Sequence, residues 1–170
     1  MRPNHDQYFL NIAEAVSLRS TCLRRAVGCV LVDERHHIVA TGYNGVAAGQ
    51  AHCRDEAIIN LKSMGGEQLD GVTYPHACGG AYSPQGTDLD RCQAIHAEQN
   101  ALVQCRDAYA IHTVYCTCEP CVSCTKLLLG TSAERVVYIA PYFTNSGAEL
   151  WGKSRDPNCW GLGSPAKSPF

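Results

Sequence analysis

At 170 residues, with 45% hydrophobic and 18% charged side chains, the chain has the length and composition of one globular domain that can bury its own core. A formal net charge of -2 argues against a protein that coats nucleic acid through a basic surface, but it leaves room for a small anionic ligand held by local donors. No apolar run approaches the roughly 20 residues that span a bilayer, and the first residues lead into a polar-faced helix rather than an apolar signal core; a cytoplasmic protein without a membrane partner is expected.

Tyr8, Phe9, Ile12, Ala13, Ala15 and Val16 recur at helical spacing and predict an amphipathic helix over residues 4–18. Residues 26–32 (AVGCVLV) read as a buried strand, 33–35 as its turn and 37–43 (HIVATGY) as the returning strand of a hairpin. A short helix is expected over 55–62, followed by a long Gly-, Pro- and Ser-rich loop over 63–91, of a length that is usually functional. Residues 95–105 predict a helix, 113–116 a strand, 121–129 a helix ended by Gly130, and 135–140 (RVVYIA) another buried strand. This order implies a central mixed sheet covered by helices, with the domain over residues 1–143 and an irregular tail over 144–170.

Eleven cysteines is an odd number, in a chain long for a disulfide scaffold and expected in a reducing compartment, so metal ligation is the first reading for the clustered ones and burial for the rest. Two segments carry chemistry: His96-Ala97-Glu98 and Pro120-Cys121-Val122-Ser123-Cys124. Two cysteines three positions apart at a helix start can place both sulfurs on one metal, and the positive end of the helix favours thiolate. His96 supplies a third donor; three protein ligands leave a position for water, the arrangement of a catalytic rather than a structural zinc. Such a zinc lowers the pKa of water to about 7. Glu98, two positions after a ligand, can reach that water without binding the metal and act as general acid and base. The combination is the general pattern of zinc deaminases that act on bases. Alone, the cysteine pair would also suit a structural zinc half-site or a thiol redox pair, and the histidine a helix cap.

With Leu18-Arg19-Ser20-Thr21-Cys22, Val27-Gly28, Gly42-Tyr43-Asn44-Gly45, His52-Cys53 and Asn100-Ala101 added, residues 5–143 resemble the deoxycytidylate (dCMP) deaminases of the cytidine deaminase superfamily. The resemblance implies a three-layer α/β/α fold, hydrolysis of dCMP to dUMP and ammonia for thymidylate synthesis, and a homo-oligomer, hexamer or dimer. It implies substrate contacts from Asn44, Ala97 and Tyr142. Arg24 is the first candidate for the phosphate, ahead of Arg25 and Lys126. It also implies a second, structural zinc on Cys22, Cys53 and Cys92, with His76, Cys78 or His52 open as the fourth ligand. The family further implies dCTP and dTTP as effectors near the small-residue loop 42–49. Asn44-Gly45 could instead be only a tight turn, though its place after a strand favours contact, and Tyr142 could equally be only a tyrosine at the edge of the core. The alternatives are dCTP or both nucleotides as substrate, a tRNA or other nucleobase deaminase, a zinc-stabilised binding module with no catalysis, and a thiol oxidoreductase.

Overall fold

The computed structural model describes residues 2–54, 58–59, 68–69, 72–74, 76–84 and 86–165. Helix α1 (His5–Ser17) begins where Asn4 caps it: the Asn4 side chain accepts from Gln7 N, and the Gln7 side chain accepts in return from Asn4 N. The face α1 buries is Phe9, Leu10 and Ala13, whereas Tyr8, expected on that face, is 49% exposed. Strands β1 (Gly28–Val32) and β2 (Ile38–Tyr43) form the expected antiparallel hairpin. Asp33 closes its turn by accepting from Arg35 N and His37 N through Oδ1.

The helix expected over 55–62 is not formed at its centre. Residues Ile58–Ile59 are strand β3, which with β4 (Gln68–Leu69) and β5 (Val72–Thr73) makes a small separate sheet. The remainder of that stretch lies outside the described residues. Two apolar β-branched residues in a row carry no helical period, which is why a strand pairing wins there.

Helix α2 (Ala97–Gln104), strand β6 (Thr113–Cys118), helix α3 (Val122–Leu129) and strand β7 (Arg135–Ala140) follow in the expected order. Beyond them the chain differs from expectation. Residues 146–162 are not irregular: they form helix α4 (Ser146–Trp151) and strand β8 (Trp160–Leu162), and β8 adds to the main sheet parallel to β7. Trp151 and Trp160 drive this. Their rings pack 5.4 Å apart, Trp151 is fully buried, and Trp160 meets Tyr138 edge-on. Burying two indoles contributes on the order of 4–6 kcal/mol each before ordering costs. Arg155 adds bonds to the carbonyls of Ala133 and Thr131.

The finished sheet runs β2-β1-β6-β7-β8, antiparallel over its first three strands and parallel over the last three. Alternation along the strands divides the core in two. Val30, Val32, Tyr115 and Val137 meet α1, while Cys29, Leu31, Val114, Cys116, Val136 and Tyr138 face the side of α2 and α3. The result is the three-layer α/β/α arrangement. α2 lies close on β2 because Gly42 has no side chain: a Cβ there would stand 2.3 Å from Ala97 O and from Ala101 N.

The first layer is tied to the sheet by one polar knot. Arg135 donates from both terminal nitrogens to the two oxygens of Asp6, at 2.6 and 2.7 Å, and the Tyr115 hydroxyl donates to Asp6 at 2.9 Å. The Arg135 bonds hold the Asp6 carboxyl below its ordinary value, and its carboxylate in turn pushes Tyr115 up together with burial. Stability linked to a depressed carboxyl is present above the unfolded pKa and is lost as pH falls through the folded one. Asp6→Asn should therefore cost about 1 kcal/mol near neutral pH, a figure reduced for partial exposure. In urea melts the gap to the native protein should close as the pH drops below 3.8, and a gap that persists there would exclude the ion pair as its source.

Candidate active site

His96 is the N-cap of α2, in extended backbone, and its N–H donates to Gln99 Oε1 at 2.9 Å. A two-way backbone bridge between Gly45 and Ile95 fixes the chain just before it, and Asn100 Nδ2 donates to Tyr43 O just after it. The imidazole is thus delivered by a helix whose start is pinned to the end of β2. Cys121 is likewise the N-cap of α3, also extended, and Thr125 donates to its carbonyl through both N–H and hydroxyl. Cys124 follows one turn later, fully buried.

The three donors meet. His96 Nδ1 lies 3.5 Å from Cys121 Sγ and 3.4 Å from Cys124 Sγ. Among the described residues this is the one group of three or more candidate ligands whose atoms all fall within 4.8 Å of one another. Ligand atoms about 2.0–2.3 Å from a tetrahedral centre stand roughly 3.3–3.8 Å apart, so the separations fit one zinc with a fourth position left over. The charge distribution agrees. Cys124, donating to Cys121, pulls the Cys121 thiol down to about 4, helped by His96. Cys124 itself is pushed up by that same bond and by burial, so one thiolate is already formed at the pair. The bond to Cys121 raises His96.

Glu98 is in the same cleft, 4% exposed, and burial drives its carboxyl above the usual carboxylate range. It neighbours Cys124 and His96 without belonging to the ligand triad. A buried carboxyl poised to change protonation beside a three-donor metal site is what proton transfer to and from a bound molecule requires.

The structure places all four other expected substrate residues on the cleft wall: Asn44, Ala97, Arg24 and Tyr142, with Arg25 beside them. Lys126 is elsewhere, exposed in the last turn of α3. Asn44 is not merely a turn residue. It is 8% exposed, its Oδ1 accepts from Ser20 Oγ and Val27 N, and its Nδ2 donates to Arg25 O. The Val27 N–H demands an oxygen, which fixes the amide orientation and leaves one N–H for a ligand. Arg24 donates through Nη2 to Thr87 O, while its Nε is buried with no partner. Glu119 also lines the cleft and is 4% exposed, and sequence reasoning passed over it. Its position directly before Pro120-Cys121 was the available signal.

A second set of cysteines adjoins the cleft, with Cys22 and Cys92 on its lining, but does not bring three sulfurs within 4.8 Å of one another as the triad brings its three donor atoms. Cys22, Cys53 and Cys78 are buried and Cys92 is half-buried. Cys78 bonds with the thiols of Cys53 and Cys92. Burial pushes Cys78 up, but those thiols and the N–H groups of Gln93 and Gly80 outweigh it and hold Cys78 below its ordinary value. Of the residues left open as a fourth ligand, Cys78 lies in this group, whereas His76 is exposed.

An α/β/α sheet protein with a three-donor metal centre at two helix starts, opening on a cleft with a buried carboxyl, is a metal-site protein of hydrolytic type. The chain belongs to the family described as "Cytidine and deoxycytidylate deaminase zinc-binding region", whose sequence profile matches residues 3–140. A deoxycytidylate deaminase of Mycobacterium phage D29 is 40% identical over 141 residues, which is 81% of this chain and 95% of that one. The deoxycytidylate deaminase of Schizosaccharomyces pombe is 35% identical over 85% of this chain, which spans 40% of that longer protein. The dCMP deaminase of the cyanophage S-TIM5, solved with dCMP and dUMP, shares the fold at a TM-score of 0.61 and 24% identity, over 96% of this chain and 98% of that one.

The cleft roof depends on one glycine. Gly86 has φ +80, and a Cβ there would stand 2.1 Å from Phe143 Cζ. Gly86→Ala should cost about 1–2 kcal/mol, combining left-handed backbone strain with displacement of the ring. In a Phe143→Ala background the loss should shrink to about 1 kcal/mol, the backbone part alone. Thermal melts of the four proteins decide this, and an unchanged melt for Gly86→Ala would show that the roof segment is not held as described.

Proposed function

We propose that the protein is a zinc-dependent hydrolytic deaminase that converts dCMP and water to dUMP and ammonia. The observation that carries this reading is the buried Glu98 carboxyl, set in the same cleft as the His96, Cys121 and Cys124 donors but outside their ligand set. Those three residues would hold the zinc, which when bound supplies the Lewis acidity that makes water nucleophilic near neutral pH. Glu98 takes a proton from the attacking water and delivers it to N3 of the pyrimidine; it then takes the proton of the new C4 hydroxyl and passes it to the amino group, so that the C4–N4 bond breaks, ammonia leaves and the C4 carbonyl remains.

The walls suit a nucleotide. Ala97, fully buried between His96 and Glu98, presents backbone to the base without obstructing it. Asn44 offers its remaining amide N–H, and Tyr142, also on the cleft wall, packs against the nucleotide. Arg24, with an unpartnered buried Nε, is assigned to the phosphate, since an orphaned guanidinium donor is satisfied by an anion. The names of the relatives favour dCMP over the other candidate substrates. Effector binding of dCTP or dTTP at residues 42–49 and assembly into a homo-oligomer belong to the same reading. It also requires a reducing compartment, because thiolate ligands must stay reduced.

The reading includes a second, structural zinc on Cys22, Cys53, Cys78 and Cys92. Four closed sulfur donors would tie the segment after α1 to the long loop, where the small apolar cluster around Cys53, Cys78 and Ala81 supplies little core of its own. Metal analysis of purified protein should find about two zinc per chain, and Cys78→Ser should bring this to about one while the catalytic metal remains. One zinc per chain in both would remove the structural site.

Ammonia release from dCMP, dCTP, deoxycytidine and CMP, with and without added dCTP or dTTP, tests the substrate. Glu98→Ala should retain its zinc and fold yet lose deamination by about three orders of magnitude or more, at the upper end for a general acid–base group. Cys121→Ala should lose the catalytic metal itself. Normal turnover of dCMP by Glu98→Ala would sink the mechanism, whereas a zinc-loaded native protein inert to all four would favour a binding module or a polymeric substrate.

A further inference from the structure

Glu119 is a buried carboxylate that the deamination chemistry leaves without a part. It joins the end of β6 to the Pro120-Cys121 turn, and its backbone N–H donates to Ala140 O at 2.9 Å. At 4% exposure a carboxylate is tolerated only if its oxygens are met by donors. Both are met. Oε1 accepts from Trp160 Nε1 and Oε2 accepts from Tyr142 N, each at 2.9 Å. The Tyr138 hydroxyl faces the same carboxylate.

The two partners belong to different parts of the protein. Trp160 opens β8, the strand contributed by the C-terminal segment, and Tyr142 stands on the cleft wall just past β7. The C-terminal segment presses on the same turn a second time: a Cβ on Gly147 of α4 would stand 2.5 Å from Pro120 O. Glu119 is thus a bracket between the C-terminal strand, the wall residue and the turn that ends in a metal-site cysteine. We propose that Glu119 is a positioning residue that sets Tyr142 against the bound nucleotide, so that Trp160 of the C-terminal strand contributes to substrate affinity through it. The inference rests on the reading that Tyr142 contacts the substrate.

The variants are Glu119→Gln and Trp160→Phe in the full chain. Gln has one acceptor oxygen, so whichever way its amide turns, one of the two donors faces an NH2 group. Trp160→Phe removes the Nε1 donor and one of the two fused rings but keeps an aromatic ring against Tyr138 and Trp151. Zinc content should be unchanged and kcat for dCMP should stay within about twofold, while KM rises about tenfold for Glu119→Gln and severalfold for Trp160→Phe. In a Tyr142→Ala background, Glu119→Gln should add less than about twofold to KM, the non-additivity expected of residues acting as one unit. Amide hydrogen exchange at Tyr142 and across β8 should quicken in Glu119→Gln.

KM effects that multiply independently of Tyr142, a loss of zinc, or a fall in kcat with KM unchanged would each overturn the proposal. If Glu119→Gln does not fold, Trp160→Phe and its combination with Tyr142→Ala carry the same test. A native protein that does not turn over dCMP would defeat the substrate reading instead. In that event, unchanged exchange at Tyr142 and β8 in either variant would still overturn the bracket.

Discussion

Two helix starts aimed at one point are the constraint on which the rest of the structure depends. His96 and Cys121 are both N-cap residues, so each sits where its helix exposes unsatisfied N–H groups and partial positive charge. That field favours thiolate over thiol, and it is supplied by backbone that cannot be removed by mutation of a side chain. Bringing the two starts within 3.5 Å between donor atoms requires α2 to lie directly on β2 and α3 to leave β6 after a three-residue turn. The first condition is met by Gly42 under Ala97 and Ala101. The second is met by the turn Glu119-Pro120-Cys121, whose first N–H donates to Ala140 O and whose last carbonyl accepts from Thr125.

The cleft opposite the metal donors is built on a different principle. Beside residues of α2 and β6, its lining comes from loops, and two of these are each held by a buried polar group. Asn44 ties the segment from Ser20 to Val27 to the end of β2 with three side-chain bonds, and that segment carries Cys22, Arg24 and Arg25. Glu119 does the corresponding work for Tyr142. Such groups are costly when only partly satisfied, so each specifies one loop conformation more sharply than hydrophobic contact would. Rigid helices hold the donors, and polar latches hold the walls.

These differences explain what could be read in the sequence. The metal triad and Glu98 were legible because the chemistry allows few residue types at fixed spacing, β1 and β7 because strands with a buried core read as unbroken apolar runs, and β2 because a turn separates it from β1. The C-terminal segment was not legible. Its elements are six and three residues long, below the length at which periodicity shows, and its docking is decided by Trp151 and Trp160 meeting partners far away in sequence. Glu119 escaped for a related reason, since a glutamate near a turn is ordinarily solvated and only the tertiary structure shows that both oxygens are enclosed. Cys78 could not be singled out from His76 by spacing, because the long loop between the hairpin and α2 has no periodicity to set a register.

The electrostatics of the cleft give these parts a common logic. Two cysteine ligands, both thiolates once a metal is bound, and the buried Glu119 would by themselves repel a nucleotide phosphate. A divalent cation at the triad cancels the thiolates, and donated hydrogen bonds on both oxygens disperse the charge of Glu119 toward the C-terminal strand. Glu98 adds little to this charge, because burial favours its protonated form. The positive charge therefore need not be large, only local. Arg24 and Arg25 supply it on one wall in a chain whose net charge is -2, and Asn44 latches the segment that carries them, so under the proposed function this end of the cleft would take the anionic group.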